Sequence, residues 1–305
     1  MTSAKQSTNE CEVRTDSARP PSTDRPHSAL LSLLIMPTVI TNDGVKLAYE
    51  QRGASGPAVV LVHGWSGSRE YFTLNADTLA KSCRVYMLDL RFHGESDKPA
   101  WGFSVARLAA DLRDFLQALE LVKPTVVGTS LGCAVIWAFV ELYGQNELGK
   151  LVFVDQAPSQ WMMPDWTLGS KGIYDAASLA NIQRAVLDMD AFADGNADCC
   201  LSKPPMADVM AVLKSETLKC DPDHLGKLMA DHAPKDWRPI LRRITLPCLN
   251  LYGSDSGCFP PGGCEAVTTL IGASCRSVEF AGCNHWLYLE EPERFNSLVL
   301  EFVLG

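Results

Sequence analysis

The stretch Thr125-Val-Val-Gly-Thr-Ser-Leu-Gly132 decides the fold expected of this chain. Thr125–Gly128 is an apolar run typical of a buried strand, and the apolar segment 131–143 behind it predicts a helix. Between the two lies a G-x-S-x-G pattern, in the strand–turn–helix context that gives the pattern its meaning. Glycines on both sides of Ser130 remove steric clashes at a tight turn and leave its Oγ exposed. The sequence therefore predicts that Ser130 is a catalytic nucleophile.

Strand and helix patterns alternate on both sides of this stretch. The hairpin signal Asn42-Asp-Gly44 joins the first two β-type runs, 38–41 and 45–51. Further buried-strand runs are predicted at 58–63, 84–89, 151–154, 248–252 and 276–280. Helical spacing is predicted at 69–81 and 104–121, and a last helix begins at Pro292. This alternation predicts an α/β fold with a mostly parallel central sheet and helices on both faces.

Two parts of the chain depart from the alternation. Residues 1–36 are rich in Ser, Thr, Pro and charge without periodicity, which predicts a disordered N-terminal extension. Residues 158–245 have helical patterns and no buried-strand run. We therefore expect an α/β core formed by 37–157 and 246–305, with 158–245 as a helical lid over the carboxyl edge of the sheet.

A serine nucleophile needs a base and an acid that supports the base. His285 lies in a loop between the last strand and the last helix, which returns it to the carboxyl edge of the sheet, and it is the predicted base. Asp255 follows the strand 248–252, and the chain order Ser, Asp, His favours it as the acid. Asp155 follows the preceding strand and is the alternative acid.

The negative oxygen of a tetrahedral intermediate needs hydrogen-bond donors. The main-chain N–H of Leu131, next to the nucleophile, is one predicted donor. The main-chain N–H of Trp65, in the loop His63-Gly-Trp-Ser-Gly67, is the other, with His63 bracing that loop. Three aromatic side chains near these motifs either line an apolar substrate pocket or belong to the core: Trp161, Phe259 and Trp286.

Composition excludes several partners. The formal net charge of −9 over 305 residues, with no Lys/Arg block, argues against nucleic-acid binding. No early segment has the pattern of a signal peptide or membrane span, so we expect a cytoplasmic protein without membrane association. The eleven cysteines lack paired C-x-x-C spacing, which predicts reduced thiols and neither a metal site nor a disulfide framework. No cofactor is expected, and the oligomeric state stays open.

Together these motifs resemble the α/β-hydrolase superfamily from about Thr38 to the end of the chain. His63-Gly-Trp65, 89–97, Gly128–Gly132 and Gly253-Ser-Asp255, with His285, resemble its branch of cofactor-free haloperoxidase-like esterases, lactonases and C–C hydrolases. The chain departs from that pattern at Phe92, where the family usually has glycine. It departs again at Cys133, where many members have a second glycine after the serine turn.

The resemblance implies a serine hydrolase that cleaves a carboxylic ester or lactone of an apolar small molecule through an acyl-enzyme. Three alternatives keep the same residues: an acyltransferase, a C–C bond hydrolase, and a ligand sensor with slow turnover. The serine at the nucleophile position argues against a haloalkane dehalogenase, since the similar dehalogenase branch has aspartate there. The sequence does not name the natural substrate.

Overall fold

The computed structural model describes residues 36–305, which form a three-layer α/β fold around one sheet. Its eight strands have the order β1-β2-β4-β3-β5-β6-β7-β8. Strands β3 to β8 are parallel, and the β1–β2 and β2–β4 pairs are antiparallel. The predicted α/β fold with a mostly parallel sheet is confirmed. The strands are β1 Thr38–Ile40, β2 Lys46–Arg52, β3 Ala58–Val62, β4 Arg84–Leu88, β5 Thr125–Thr129, β6 Lys150–Val154, β7 Cys248–Gly253 and β8 Cys275–Phe280.

Helices cover both faces of the sheet, because both faces of its central strands are apolar. Val60 and Val62 of β3 belong to one core cluster, and Val59 and Leu61 belong to the other. This alternation is what a parallel strand buried on both sides requires. The helices are α1 Ala76–Leu79, α2 Val105–Ala118, α3 Leu131–Tyr143, α4 Ala176–Ala185, α5 Met189–Cys200, α6 Ala207–Leu218, α7 Pro222–His232, α8 Arg238–Leu241, α9 Pro261–Ile271, α10 Leu287–Glu290 and α11 Pro292–Leu304.

The prediction of a single helix over 69–81 is wrong. The structure has a 3₁₀ turn at Arg69–Phe72 and then the short α1. Asn75 lies between them, fully buried, and its amide nitrogen donates to the Tyr288 carbonyl oxygen and to Oδ1 of Asn296. Tertiary hydrogen bonds at this asparagine thus divide a segment whose spacing alone favours one helix.

Five helices, α4 to α8, lie between β6 and β7, where the sequence predicted a helical segment without strands. We call residues 158–245 the inserted helices. The prediction that they form a lid, with its boundaries, stays a prediction at this point. Apart from Met36, the predicted extension 1–36 lies outside the described residues. Within 36–305, no helix combines the length and the apolar character that crossing a bilayer demands.

Candidate active site

Ser130 occupies the sharp turn between β5 and α3. Its backbone has φ 52° and ψ −118°, a strained conformation for a residue with a side chain. A Cβ on Gly128 would lie 2.5 Å from the carbonyl carbon of Gly132, and a Cβ on Gly132 would collide with the Val62 carbonyl oxygen. The two glycines are therefore required for the turn to close against β3. This is the turn that the sequence predicted around Ser130.

The loop after β3 approaches the same serine. A Cβ on Gly64 would lie 3.1 Å from Cβ of Ser130, so a side chain there would require the serine turn to shift by a few tenths of an ångström. As predicted, His63 braces the loop: its Nε2 accepts from the Leu90 N–H at 3.0 Å, and its Nδ1 donates to the Gly64 carbonyl oxygen at 2.7 Å. Burial lowers the pKa of His63 to about 4, so the ring is neutral and structural.

His285 forms its side-chain hydrogen bond with Asp155. Nδ1 of the imidazole lies 2.6 Å from Oδ2 of the carboxylate, and both side chains are buried. The same carboxylate accepts from the Gly253 N–H at 3.0 Å and from Ser256 Oγ at 2.6 Å. Asp155 itself has φ 47°, a left-handed conformation at the end of β6. Three donors therefore hold a buried carboxylate against the imidazole in one orientation.

The prediction that Asp255 partners His285 is wrong, and the alternative, Asp155, makes the contact instead. Asp255 is exposed, and its carboxylate accepts from the hydroxyl of Ser254 at 2.8 Å. Its N–H donates to the Cys283 carbonyl oxygen at 3.0 Å. The loop after β7 thus places Asp255 on its solvent side, while the next residue, Ser256, faces the buried carboxylate.

Asn284 is a positioning residue that the sequence analysis missed. Its Oδ1 accepts from the N–H of His285 at 2.7 Å and from the N–H of Gly257 at 2.6 Å. One amide oxygen therefore fixes the loop that carries the base to the loop after β7. The nearest signal in the sequence was its place directly before His285, which by itself indicates no contact.

The electrostatics of the site raise the basicity of His285. Burial disfavours the imidazolium, but negative charge at the Cys258 sulfur and the hydrogen bond to Asp155 outweigh it and raise the pKa of His285 above its ordinary 6.5. An imidazole that gains a proton readily is suited to accept one from a serine hydroxyl. The arrangement supports general-base chemistry.

A cavity of about 570 Å³ joins these groups, a size typical of small-molecule sites. Ser130, His285 and Gly64 line it from the core, together with Phe259 and Trp286 of the predicted pocket. The inserted helices also line it, with residues that include Ile173, Ile182, Arg184, Phe192, Asn196, Cys199, Cys200, Met229 and His232.

Trp161 does not belong to the cavity lining, so its predicted pocket role is wrong. It packs against the small cluster of Ile173, Met229 and Ala233. Ile173 and Met229 face the cavity, and Trp161 lies behind them. Trp65 does line the cavity, and its indole N–H donates to the Leu225 carbonyl oxygen of α7 at 3.1 Å. The oxyanion roles of the Trp65 and Leu131 N–H groups stay predictions.

The chain is similar to known proteins along most of its length. A model of the alpha/beta hydrolase fold matches residues 57–292. The chain belongs to the α/β-hydrolase family. It is 28% identical over 280 residues to a 2-hydroxy-6-oxononadienedioate/2-hydroxy-6-oxononatrienedioate hydrolase of Paraburkholderia xenovorans, covering 85% of this chain and 91% of the relative. It is 27% identical over 261 residues to a pimeloyl-[acyl-carrier protein] methyl ester esterase of Vibrio cholerae, covering 83% and 97%.

The fold is also that of solved haloperoxidase-like structures. A bromoperoxidase from Bacillus anthracis superimposes with a TM-score of 0.82 at 22% identity, over 89% of this chain and 100% of the bromoperoxidase. The resemblance to this superfamily is confirmed, and this α/β-hydrolase is a hydrolytic enzyme.

Two departures of this α/β-hydrolase from its family pattern have structural explanations. Phe92 has φ 76°, a conformation that favours glycine, and its buried ring stacks on Phe103 with centroids 4.8 Å apart. The buried, stacked ring of Phe92 holds the residue in this backbone conformation. Sγ of Cys133 donates to the Gly128 carbonyl oxygen at 3.0 Å and accepts from the Val154 N–H at 3.3 Å. Its thiol thus links β5 to β6 behind the serine turn.

Proposed function

We propose that this enzyme hydrolyses a carboxylic ester or lactone of an apolar small molecule through an acyl-enzyme, with Ser130 as nucleophile, His285 as base and Asp155 as acid. The 2.6 Å contact between His285 and the buried Asp155 carries the proposal, because it supplies the oriented base that a serine nucleophile requires. The strained turn at Ser130, in the same cavity, supplies the nucleophile.

The chemistry follows from these groups. Ser130 Oγ attacks the substrate carbonyl carbon while His285 takes the hydroxyl proton, and the carboxylate of Asp155 stabilises the imidazolium that forms. The N–H groups of Leu131 and Trp65 bind the negative oxygen, and the N-terminus of α3 favours the same charge. The imidazolium then protonates the leaving alcohol, and water repeats the sequence to release the acid.

Two further observations support an apolar, uncharged acyl group. The cavity wall is mostly apolar, and its apolar residues include Ile173, Ile182 and Phe192 of the inserted helices and Trp286 of the core. Of the other polar lining residues, Arg184 and Asp188 are exposed and of opposite charge, and burial lowers the pKa of His232 to about 3, so His232 adds no positive charge for a carboxylate. The inserted helices therefore act as a lid that excludes water and selects the acyl chain.

The test is covalent labelling and turnover after Ser130→Ala. We expect wild type to react with a fluorophosphonate probe at one site and to hydrolyse p-nitrophenyl esters with multiple turnovers. Ser130→Ala should lose labelling, and turnover should fall by about 10⁴ to 10⁶. Normal labelling of Ser130→Ala would show a different nucleophile. A burst of one equivalent of product without further turnover would favour a sensor.

A further inference from the structure

Three cysteines gather on one wall of the active-site cavity. Cys199 and Cys200 are the last residues of α5, and Cys258 lies in the loop after β7. Their three sulfur atoms all lie within 4.8 Å of one another, and all three residues line the cavity that contains Ser130 and His285. Because Cys200 and Cys258 are 58 residues apart, the spacing along the chain does not reveal the cluster.

The backbone holds these thiols in place from both sides. The Cys200 carbonyl oxygen accepts from the Trp286 N–H at 3.1 Å, and the Cys258 carbonyl oxygen accepts from the Lys171 N–H at 2.9 Å. Between the two segments, a Cβ on Gly257 would collide with the Cys199 carbonyl oxygen. Glycine at 257 therefore permits the approach, and hydrogen bonds to fixed elements maintain it. The backbone of the fold thus keeps the three thiols close together.

The sulfur spacing suits a shared metal ion better than a disulfide. Sγ of Cys200 and Sγ of Cys258 are 3.8 Å apart. Two thiolates bound at about 2.3 Å to one tetrahedral Zn²⁺ are separated by about 3.8 Å. A disulfide needs about 2.05 Å, so the two segments would have to move together. Thiolate sulfur is also the ligand that soft and borderline cations prefer.

We propose that Cys199, Cys200 and Cys258 form a binding site for a thiophilic d¹⁰ cation of the Zn²⁺ class. The three thiols lose their protons to the buffer on binding, and one position of a tetrahedral ion stays open. Because the thiolate and not the thiol binds metal, binding strengthens as pH rises.

A bound cation would also act on the catalytic base. Cys258 adjoins His285, and an ion on the three thiols occupies cavity space beside the base that a substrate would otherwise fill. Resting on the proposed function, this predicts that Zn²⁺ inhibits ester hydrolysis reversibly and that a chelator restores it.

Binding is tested on the reduced full-length chain, without substrate. Titration with Cd²⁺ should produce a thiolate-to-metal charge-transfer band that saturates at one equivalent. Zn²⁺ should displace Cd²⁺, and calorimetry in two buffers should show proton release. Cys258→Ser should weaken Cd²⁺ binding at least tenfold. Cys275→Ser is the matched control, since Cys275 and Cys248 form a thiol pair outside the cavity.

The outcomes separate the two proposals. Absence of the Cd²⁺ band in wild type, or equal Cd²⁺ affinity of wild type and Cys258→Ser, would overturn the metal site, with circular dichroism verifying the fold of each variant. In the activity arm, Zn²⁺ should inhibit Cys199→Ser less than wild type, each relative to its own metal-free rate. If the wild type binds Cd²⁺ but hydrolyses no ester, the metal-site proposal stands and the proposed function is wrong.

Discussion

At the residue scale, the site depends on which carboxylate reaches His285. Asp155 lies 2.6 Å from Nδ1 and is buried, whereas Asp255 is exposed to solvent. We therefore expect Asp155→Asn to lower kcat by about 10⁴, because the amide neither holds the productive tautomer nor stabilises the imidazolium. Asp255→Asn is the matched control and should stay within roughly tenfold of wild type on the same scale. Steady-state ester hydrolysis measures both, and the reverse ranking would return the acid role to Asp255.

The charge state of His285 gives a pH prediction. Its folded-state pKa is raised, so the imidazole is protonated and inactive as a base below that pKa, and activity appears as pH rises through it. We expect kcat/KM to increase with pH, with a midpoint above 6.5, in buffer that contains a chelator.

Histidine-ring NMR provides the control for this pH dependence. Asp155→Asn should lower the titration midpoint of His285, because it removes the hydrogen bond that favours the charged ring. Asp255→Asn should leave the midpoint where it is in wild type. An ascending limb centred below 6.5 would contradict the raised pKa.

The sequence predicted most of these residues because their motifs are local. Ser130 is identified by its two glycines and by the strand and helix around it. The acid could not be chosen in this way, since Asp155 and Asp255 both follow strands of the sheet. Chain order and spacing favoured Asp255, but the contact depends on which side chain of each loop faces inward. That direction follows from the φ of Asp155 and from the turn after β7.

At the element scale, the serine turn requires close packing of α3 against β3. A Cβ on Gly132 would collide with the Val62 carbonyl oxygen, so Gly132→Ala forces these elements apart. We expect a loss of about 1–3 kcal/mol of unfolding free energy, typical of overpacking. This corresponds to a fall in melting temperature of at least about 2 °C.

Gly195→Ala is the matched control for this change. Gly195 lies inside α5, and a Cβ there would meet nothing within 4 Å. Alanine should stabilise that helix by up to about 1 kcal/mol, since glycine is the poorer helix former. Scanning calorimetry of the two variants should therefore give shifts of opposite sign. Equal melting temperatures would mean that the turn tolerates a side chain at 132.

Elements with regular periodicity were predicted well. The prediction failed where tertiary contacts determine the secondary structure. All eight strands begin and end within two residues of the predicted runs. The segment 69–81 was not predicted correctly, because the hydrogen bonds that divide it at Asn75 go to residues more than 200 positions away. No local pattern carries that information.

At the scale of the whole molecule, the cavity lies between the sheet and the inserted helices. Phe192 of α5 lines it and meets the ring of Trp65 edge-on at 5.4 Å, whereas Trp161 lies behind the lining. We expect Phe192→Ala to change the ratio of kcat/KM between bulky and small esters by roughly tenfold or more. Trp161→Ala should lower both rates by similar factors. Paired assays on two ester lengths measure the ratio, and an unchanged ratio for Phe192→Ala would remove that residue from substrate selection.

The sequence alone could not predict which residues line the cavity or that three thiols cluster in it, since both sets come from segments far apart in the chain. The apolar character of the pocket was predicted, and Phe259 and Trp286 are part of its wall. Trp161 was misplaced because aromatic residues near a motif do not reveal which layer they occupy.

The meeting of β6 and β7 at one sheet edge has a consequence for how such sites diverge. Oδ2 of Asp155 and Oγ of Ser256 are 2.6 Å apart. Side chains that follow the neighbouring strands β6 and β7 therefore lie at the same place beside the imidazole. A chain with aspartate at both positions would hold two redundant carboxylates there, one of them protonated. Either could then be lost without loss of the acid. The geometry therefore allows the acid to move from the end of β6 to the end of β7 in two single replacements, Ser256→Asp and then the loss of Asp155.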